Sequence, residues 1–402
     1  MREIFRKEYI NNFFLLPVFA IGSFYDKRLA IGDFNFTYLF TLLYVVAFVV
    51  FLKRPTNRII ASHLFLIFVF TFIIVTINWS IWGINVDGDY SVNKLITLSC
   101  ITFPVCFYVN SFKTENDILV FLKQISLIGF FLGLVGFAQI VSSGGIGESR
   151  LAVLGGGPIV FSRWVGLFFI VFLFNYSLRG YLKIPVLIVC LALMTFSGSK
   201  GPLFILILVL LILLLRNKKI WILLGLMYLL IQINLQTILG LFSQNIMLTR
   251  IFGLNESSSI TSGTSSSARL SLLSESKNAI LENPFGYGLG NFSIYGDKSK
   301  ILGDSGYPHN FLIETWLESG IFLLLIVIAY FAVLFRDTIR TIFNKINPPS
   351  ATQTTVIGIW LFYLFNSLVS GDLSDARFLI VFTALYFVLI QANNKSKQLS
   401  PI

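Results

Sequence analysis

Apolar and polar positions along the chain alternate on the scale of whole helices. Apolar runs approaching 20 residues, the length that crosses a bilayer core of roughly 30 Å, recur from Phe13 to Gln391, with short charged or polar stretches between most of them. They predict spans near 12–24, 36–52, 59–82, 95–110, 118–141, 159–178, 184–198, 201–216, 220–240, 311–335, 353–371 and 377–392. In hydrocarbon a helix satisfies its backbone groups within one segment. The expected fold is therefore all-α: a single polytopic integral membrane domain over 1–402 with about 12 transmembrane helices. The charged start and the apolar stretch from Phe13 have the outline of a secretory signal. No small-residue cleavage site is evident and spans follow at once, so the stretch is read as a retained first span.

One polar interval, 241–310, is far longer than a turn. It contains a Ser/Thr/Gly tract from Ser257 to Ser267, whose low hydrophobicity predicts mobility. From Ala268 to Glu282 the apolar residues Leu272, Leu273, Ala279 and Ile280 fall at helical spacing, which predicts an amphipathic helix lying at the membrane surface. Asn283-Pro284 ends that helix, and Phe285-Gly-Tyr-Gly-Leu-Gly-Asn-Phe292 follows as a glycine-rich turn. The interval closes on Tyr307-Pro-His-Asn310 at the mouth of the next span. A loop of this length in a compact protein is functional or disordered, and this one carries the marks of both.

Charge sets the orientation. Cations cluster in alternate loops, at Arg2, Arg6 and Lys7, at Lys53, Arg54 and Arg58, at Arg216, Lys218 and Lys219, and near the C-terminus at Lys395 and Lys397. The intervening loops hold most of the acids, among them Asp87, Asp89, Glu148 and Asp372. The positive-inside bias then puts both termini in the cytoplasm and the long loop on the opposite side. A hydrophobic share of 56% with 12% charged residues excludes a water-soluble fold. The net charge of +11 is spread over short loops and does not form a nucleic-acid-binding face. Cys100, Cys106 and Cys190 lie in apolar runs without metal or redox spacing and are read as small buried hydrophobes.

Candidate chemistry collects on the non-cytoplasmic side. His309 lies just outside a span beside Asn310, with Glu314 and Glu318 further along the same helix, and an imidazole suits proton abstraction from a hydroxyl. His63 has no polar company and is read as structural. Arg269 opens the amphipathic helix, Arg150 lies in a Gly-rich loop, and Arg163 and Lys200 lie at span ends facing the same side. Cations at the edge of hydrocarbon either snorkel to headgroups or meet a partner such as a phosphate. Lys200 belongs to Ser197-Gly-Ser-Lys-Gly201, a tight reversal that is either a plain turn or a re-entrant hairpin exposing amides and one cation. Gly286-Tyr-Gly-Leu-Gly290 lacks the βαβ context of a dinucleotide fingerprint and reads as a turn or a small anion-holding nest of amides.

The long late loop, the Arg opening its helix, Asn283-Pro-Phe-Gly-Tyr-Gly-Leu-Gly290, and His309-Asn310 with Glu314, Glu318 and Gly320 together resemble the O-antigen ligase and O-antigen polymerase superfamily. The resemblance is specific from about Arg269 to Gly320 and looser elsewhere. It implies a metal-independent, cofactor-free, inverting glycosyltransferase with a GT-C-like fold and one large periplasmic loop in the bacterial inner membrane. Such an enzyme transfers a glycan from undecaprenyl diphosphate to a sugar hydroxyl on the periplasmic face during lipopolysaccharide biosynthesis. By the same resemblance Arg269 and His309 are catalytic, and Lys200 with Arg150 or Arg163 binds diphosphate. Lys200 departs from the family pattern, where Arg is usual, and keeps the charge without the planar fork. The implied partners are lipid-linked donor and acceptor glycans, membrane lipids and a chain-length regulator protein. The 42 Phe residues favour a polymerase. A ligase acting on lipid A core is the alternative, and a flippase or transporter of lipid-linked oligosaccharides is the alternative from another class. Against transport, the chain shows no internal repeat of paired broken helices.

Overall fold

A computed structural model describes residues 30–31, 34–35, 94, 102, 105–106, 109, 112–142, 151, 153, 157–177, 179–214, 265–291, 308–344, 346–371 and 375–398, with backbone only at 30–31, 34–35, 265–270 and 391–398. The spans expected near 12–24, 36–52, 59–82 and 220–240 lie outside the described residues, as do most of 95–110 and Arg150.

Among the described residues there are eight helices. They are α1 (Glu115–Ser142), α2 (Pro158–Asn175), α3 (Gly180–Phe196), α4 (Lys200–Leu214), α5 (Ser265–Glu282), α6 (Phe311–Ile342), α7 (Ala351–Val369) and α8 (Arg377–Gln398). Each expected span in this part of the chain is a helix that starts within about one turn of its expected position. Local chemistry fixes several starts. Thr114 caps α1 by accepting from the Asp117 amide, while Asp117 accepts from the Thr114 amide. Ser350 and Gln353 make the same reciprocal exchange at the start of α7. These are capping boxes, which satisfy two otherwise orphaned donors at a helix N-terminus. Pro158 occupies the first turn of α2, where its missing N–H costs nothing.

Three features depart from the expected all-helical pattern of spans. A two-residue antiparallel ladder joins β1 (Ala30–Ile31) to β2 (Phe34–Asn35), and the residues between them, Gly32-Asp33, are turn-forming types. Helix α5 begins at Ser265, inside the tract expected to be mobile, because serines are well tolerated in a first turn. Helix α6 is not one continuous rod: Gly320 sits at φ 81, ψ 172 and divides it.

Four of the helices, α1, α2, α6 and α7, are long and apolar enough to cross a membrane; α3, α4 and the apolar part of α8 are shorter. Their outer faces agree with contact to lipid. Phe131, Leu134 and Phe137 on α1, Ile184 and Ile188 on α3, and Phe322, Leu325 and Ile326 on α6 are all exposed. A water-soluble surface does not tolerate apolar stripes of that extent.

The chain divides into two compact units. The first comprises 1–43, 119–262 and 341–362. Within it α2 packs against α3 and α4, and α3 against α4. Small residues allow close approach, as is usual where lipid supplies no hydrophobic drive between helices. A Cβ on Gly129 would meet the Trp164 carbonyl oxygen at 2.2 Å, and one on Gly166 would meet the Phe362 ring at 2.6 Å. Gly129→Ala should therefore separate α1 from α2 at a cost of about 1–3 kcal/mol. The expected readout is a thermal midpoint several degrees lower for the full chain in nanodiscs. Gly133→Ala serves as the control, since its Cβ would meet only Leu193 Cδ1 at 3.6 Å.

The second unit comprises 44–118, 263–340 and 363–402. Its core includes Tyr363 stacked on Phe378 and Phe382 at 5.2 and 5.1 Å, and a hydrogen bond from Thr338 to the Tyr386 hydroxyl at 3.2 Å. It also holds α5, the glycine-rich segment and α6.

Candidate functional site

The break at Gly320 is where the long loop meets the membrane helix. In a continuous helix the Ile321 amide would donate to the Leu317 carbonyl, and the Phe322 amide to the Glu318 carbonyl. At the break the partners are exchanged. Ile321 donates to the Pro284 carbonyl at 3.0 Å, the Tyr287 amide donates to the Leu317 carbonyl at 2.7 Å, and the Gly288 amide donates to the Glu318 carbonyl at 3.1 Å. The segment 283–290 thus replaces the missing turn of helix and satisfies groups that would otherwise be orphaned. Trp316 adds a bond from its indole nitrogen to the Pro284 carbonyl at 3.1 Å.

Close approach explains the glycines. Gly286, at φ 94, has no room for a Cβ, which would lie 2.7 Å from the Gly320 nitrogen, and a Cβ on Gly320 would lie 2.4 Å from the Phe285 carbonyl oxygen. Each glycine makes space for the other's backbone. The amide nest anticipated here does receive an anion, and that anion belongs to the chain: the Gly290 amide donates to Glu318 Oε1 at 3.0 Å.

The same glutamate belongs to a buried ionic cluster that sequence reasoning missed. Lys94 Nζ contacts Glu314 Oε1, and it lies 2.5 Å from Glu318 Oε1. All three side chains are 1% exposed. Glu314 and Glu318 are one helical turn apart on the segment before the break, so they present both carboxylates to one side. Two carboxylates buried so close repel unless a cation lies between them, and removing one member of a buried ion pair typically costs about 3–5 kcal/mol. The glutamates were visible in the sequence as companions of His309; the structure pairs them with Lys94. The available signal was a pair of acids four apart at the start of an apolar span, which calls for a buried counter-cation.

Helix α5 docks onto the same region. Leu272 and Ala279 pack with Leu317, flanked by Ile280, Tyr287 and Ile313. The Tyr287 hydroxyl donates to the Ala279 carbonyl at 2.9 Å. Burial, reinforced by the negative charge of Glu282, pushes the Tyr287 phenol up, which keeps its donor proton in place. Arg269 lies on α5, three residues before Leu272.

His309 stands at the other end of the loop. It is half-buried and has φ 54, a left-handed conformation uncommon outside glycine. The next residue, Asn310, caps α6: its Oδ1 accepts from the amides of Leu312 and Ile313 at 3.0 and 3.2 Å, and its Nδ2 donates to the Leu368 carbonyl at 2.9 Å. The imidazole-bearing residue is therefore set at a fixed turn, and backbone strain of this kind concentrates at functional positions. The second unit thus joins the helix carrying Arg269 to the helix that His309 precedes.

The other candidates lie in the first unit. Gly198, at φ 65, forms the reversal between α3 and α4, and Lys200 opens α4 half-buried. A cation at a helix N-terminus opposes the helix dipole, so both favour an anion there. The Ser199 hydroxyl beside it is buried and has no partner among the described residues. Ser197 bonds to Ser162 of α2 at 2.6 Å, and Arg163, the neighbour of Ser162, is 5% exposed. The Leu151 amide donates to the Phe196 carbonyl at 3.4 Å, which ties the residue after Arg150 to the end of α3. The structure thus brings together the Lys200 turn, the Arg163 turn of α2 and the segment following Arg150.

A comparison with curated proteins found no match. Residues 184–328 match the family model described as O-antigen ligase. That stretch includes Lys200, Arg269, His309, Glu314 and Glu318, and excludes Arg150 and Arg163. Over residues 184–328 the chain is thus similar to the O-antigen ligase and polymerase superfamily.

Proposed function

We propose that the chain is an O-antigen polymerase, joining undecaprenyl-diphosphate-linked repeat units on the periplasmic face by inverting, metal-independent glycosyl transfer. The observation that carries this reading is the family match over 184–328, which covers both the Lys200 turn and the joined α5, glycine-rich segment and α6. The reaction makes a bond between an acceptor sugar hydroxyl and the donor's anomeric carbon, and breaks the bond from that carbon to the diphosphate. The electron pair leaves with the diphosphate. The hydroxyl proton passes to His309, imidazole being the commonest general base. Fixed cations absorb the charge on the leaving group: Arg269, Lys200, and Arg150 or Arg163. Each well-placed donor to the developing charge contributes roughly 3–4 kcal/mol to the transition state. The GT-C-like fold, cytoplasmic termini and a chain-length regulator as partner belong to the same proposal.

The family description names a ligase, which keeps that second reading in view: chemistry on the donor is shared, and only the acceptor differs. The surface polysaccharide of a strain deleted for this chain separates the readings. A single repeat unit on lipid A core is the expected result. Bare core with polymer accumulated on the carrier would make the protein a ligase, and precursor retained on the inner face would make it a flippase.

A further inference from the structure

We infer that Glu318, held by Lys94, is a positioning residue for the transfer reaction: it fixes the glycine-rich segment and thereby sets the helix carrying Arg269 against the helix preceded by His309. The inference rests on the glycosyl-transfer reading above.

The connections run through named atoms. Glu318 is attached to the glycine-rich segment twice, by its backbone carbonyl to the Gly288 amide at 3.1 Å and by its carboxylate to the Gly290 amide at 3.0 Å. Tyr287, between those contacts, reaches the Ala279 carbonyl of α5 and packs on the Leu272, Ala279 and Leu317 cluster. Through the segment, the Glu318 carboxylate thus bears on both the angle and the register of α5 on α6. Lys94 contacts that carboxylate and aims it, and a hydrogen bond to a charged acceptor is roughly twice as strong as one to a neutral acceptor. Glu314 touches the same lysine. The two glutamates are equally buried and share the lysine, and it is Glu318 that holds the Gly290 amide.

That asymmetry supplies the test. Glu318→Gln and Glu314→Gln are isosteric, so each preserves shape and removes one charge from the cluster. With the full chain in nanodiscs, amide hydrogen exchange over 286–291 should be at least tenfold faster in Glu318→Gln and within about twofold of the parent in Glu314→Gln. Turnover is measured with lipid-linked glycan extracted from the deletion strain. There Glu318→Gln should lower kcat at least tenfold with KM within about threefold, because substrate still binds and the reacting groups are misaligned. Equal exchange in the two variants, or a loss confined to KM, would overturn the inference. If exchange separates the variants but deletion of the chain leaves the polysaccharide unaltered, the glycosyl-transfer reading has failed and the positioning role for transfer falls with it, leaving only the intramolecular anchor.

Discussion

Replacing Arg269 with alanine should abolish polymer while leaving the protein in the membrane at its normal level. The position lies on α5 three residues ahead of Leu272, which is buried with Ala279 against Leu317 of α6, and those contacts do not involve Arg269. On the proposed role of Arg269 at the leaving diphosphate, its loss removes roughly 3–4 kcal/mol of transition-state stabilisation, a fall of about two to three orders of magnitude in kcat. Arg269→Lys should fall between, since it keeps the charge and loses the planar two-pronged grip on phosphate oxygens. Steady-state turnover with extracted lipid-linked glycan, read beside the protein's membrane level, checks both. A fully active Arg269→Ala enzyme would remove this residue from the mechanism.

Much of the helical framework is legible because hydropathy in a membrane chain answers to one external length, the thickness of the hydrocarbon. The starts of α1 to α4 and α6 to α8 follow from it, and the amphipathic spacing of Leu272, Ala279 and Ile280 marks α5. What hydropathy hides is a break without a change of polarity. Gly320 lies within an apolar run that continues on its far side, and only the backbone exchange with Pro284 and Tyr287 reveals the interruption. The ionic cluster is hidden for another reason. Lys94 is 220 residues from Glu314 in the chain, and nothing in a single sequence pairs positions so far apart. The glycine-rich motif is intermediate: its shape as an amide nest is local and readable, but its occupant, the Glu318 carboxylate, is not. The candidate cations are readable as residue types at span ends, while the bonds that gather the Lys200 and Arg163 turns are tertiary.

Gly320→Ala should have the largest structural effect of any single methyl added to the described part of the second unit. Two penalties fall on the same atom. At φ 81 an L side chain is strained, at roughly 1–3 kcal/mol, and the new Cβ would lie 2.4 Å from the Phe285 carbonyl oxygen, where backbone and not a yielding side chain must move. Relaxation toward ordinary helix is the only cheap escape: the Ile321 amide would return to the Leu317 carbonyl, the Pro284 carbonyl would keep only the Trp316 indole, and the Tyr287 amide would lose its partner. The alanine variant is thus expected to straighten α6 and release the segment, which exposes 286–291 to exchange and leaves Tyr287 without its seat against α5. Gly286→Ala should produce the same loss from the opposite side of the contact, because its Cβ would meet the Gly320 nitrogen at 2.7 Å. The double variant should then lose little more than either single one, since the two substitutions break one shared contact and interacting sites are not additive. Exchange protection of 286–291 and turnover should fall together in all three proteins; independent, additive losses would show that the two glycines do not act as one joint.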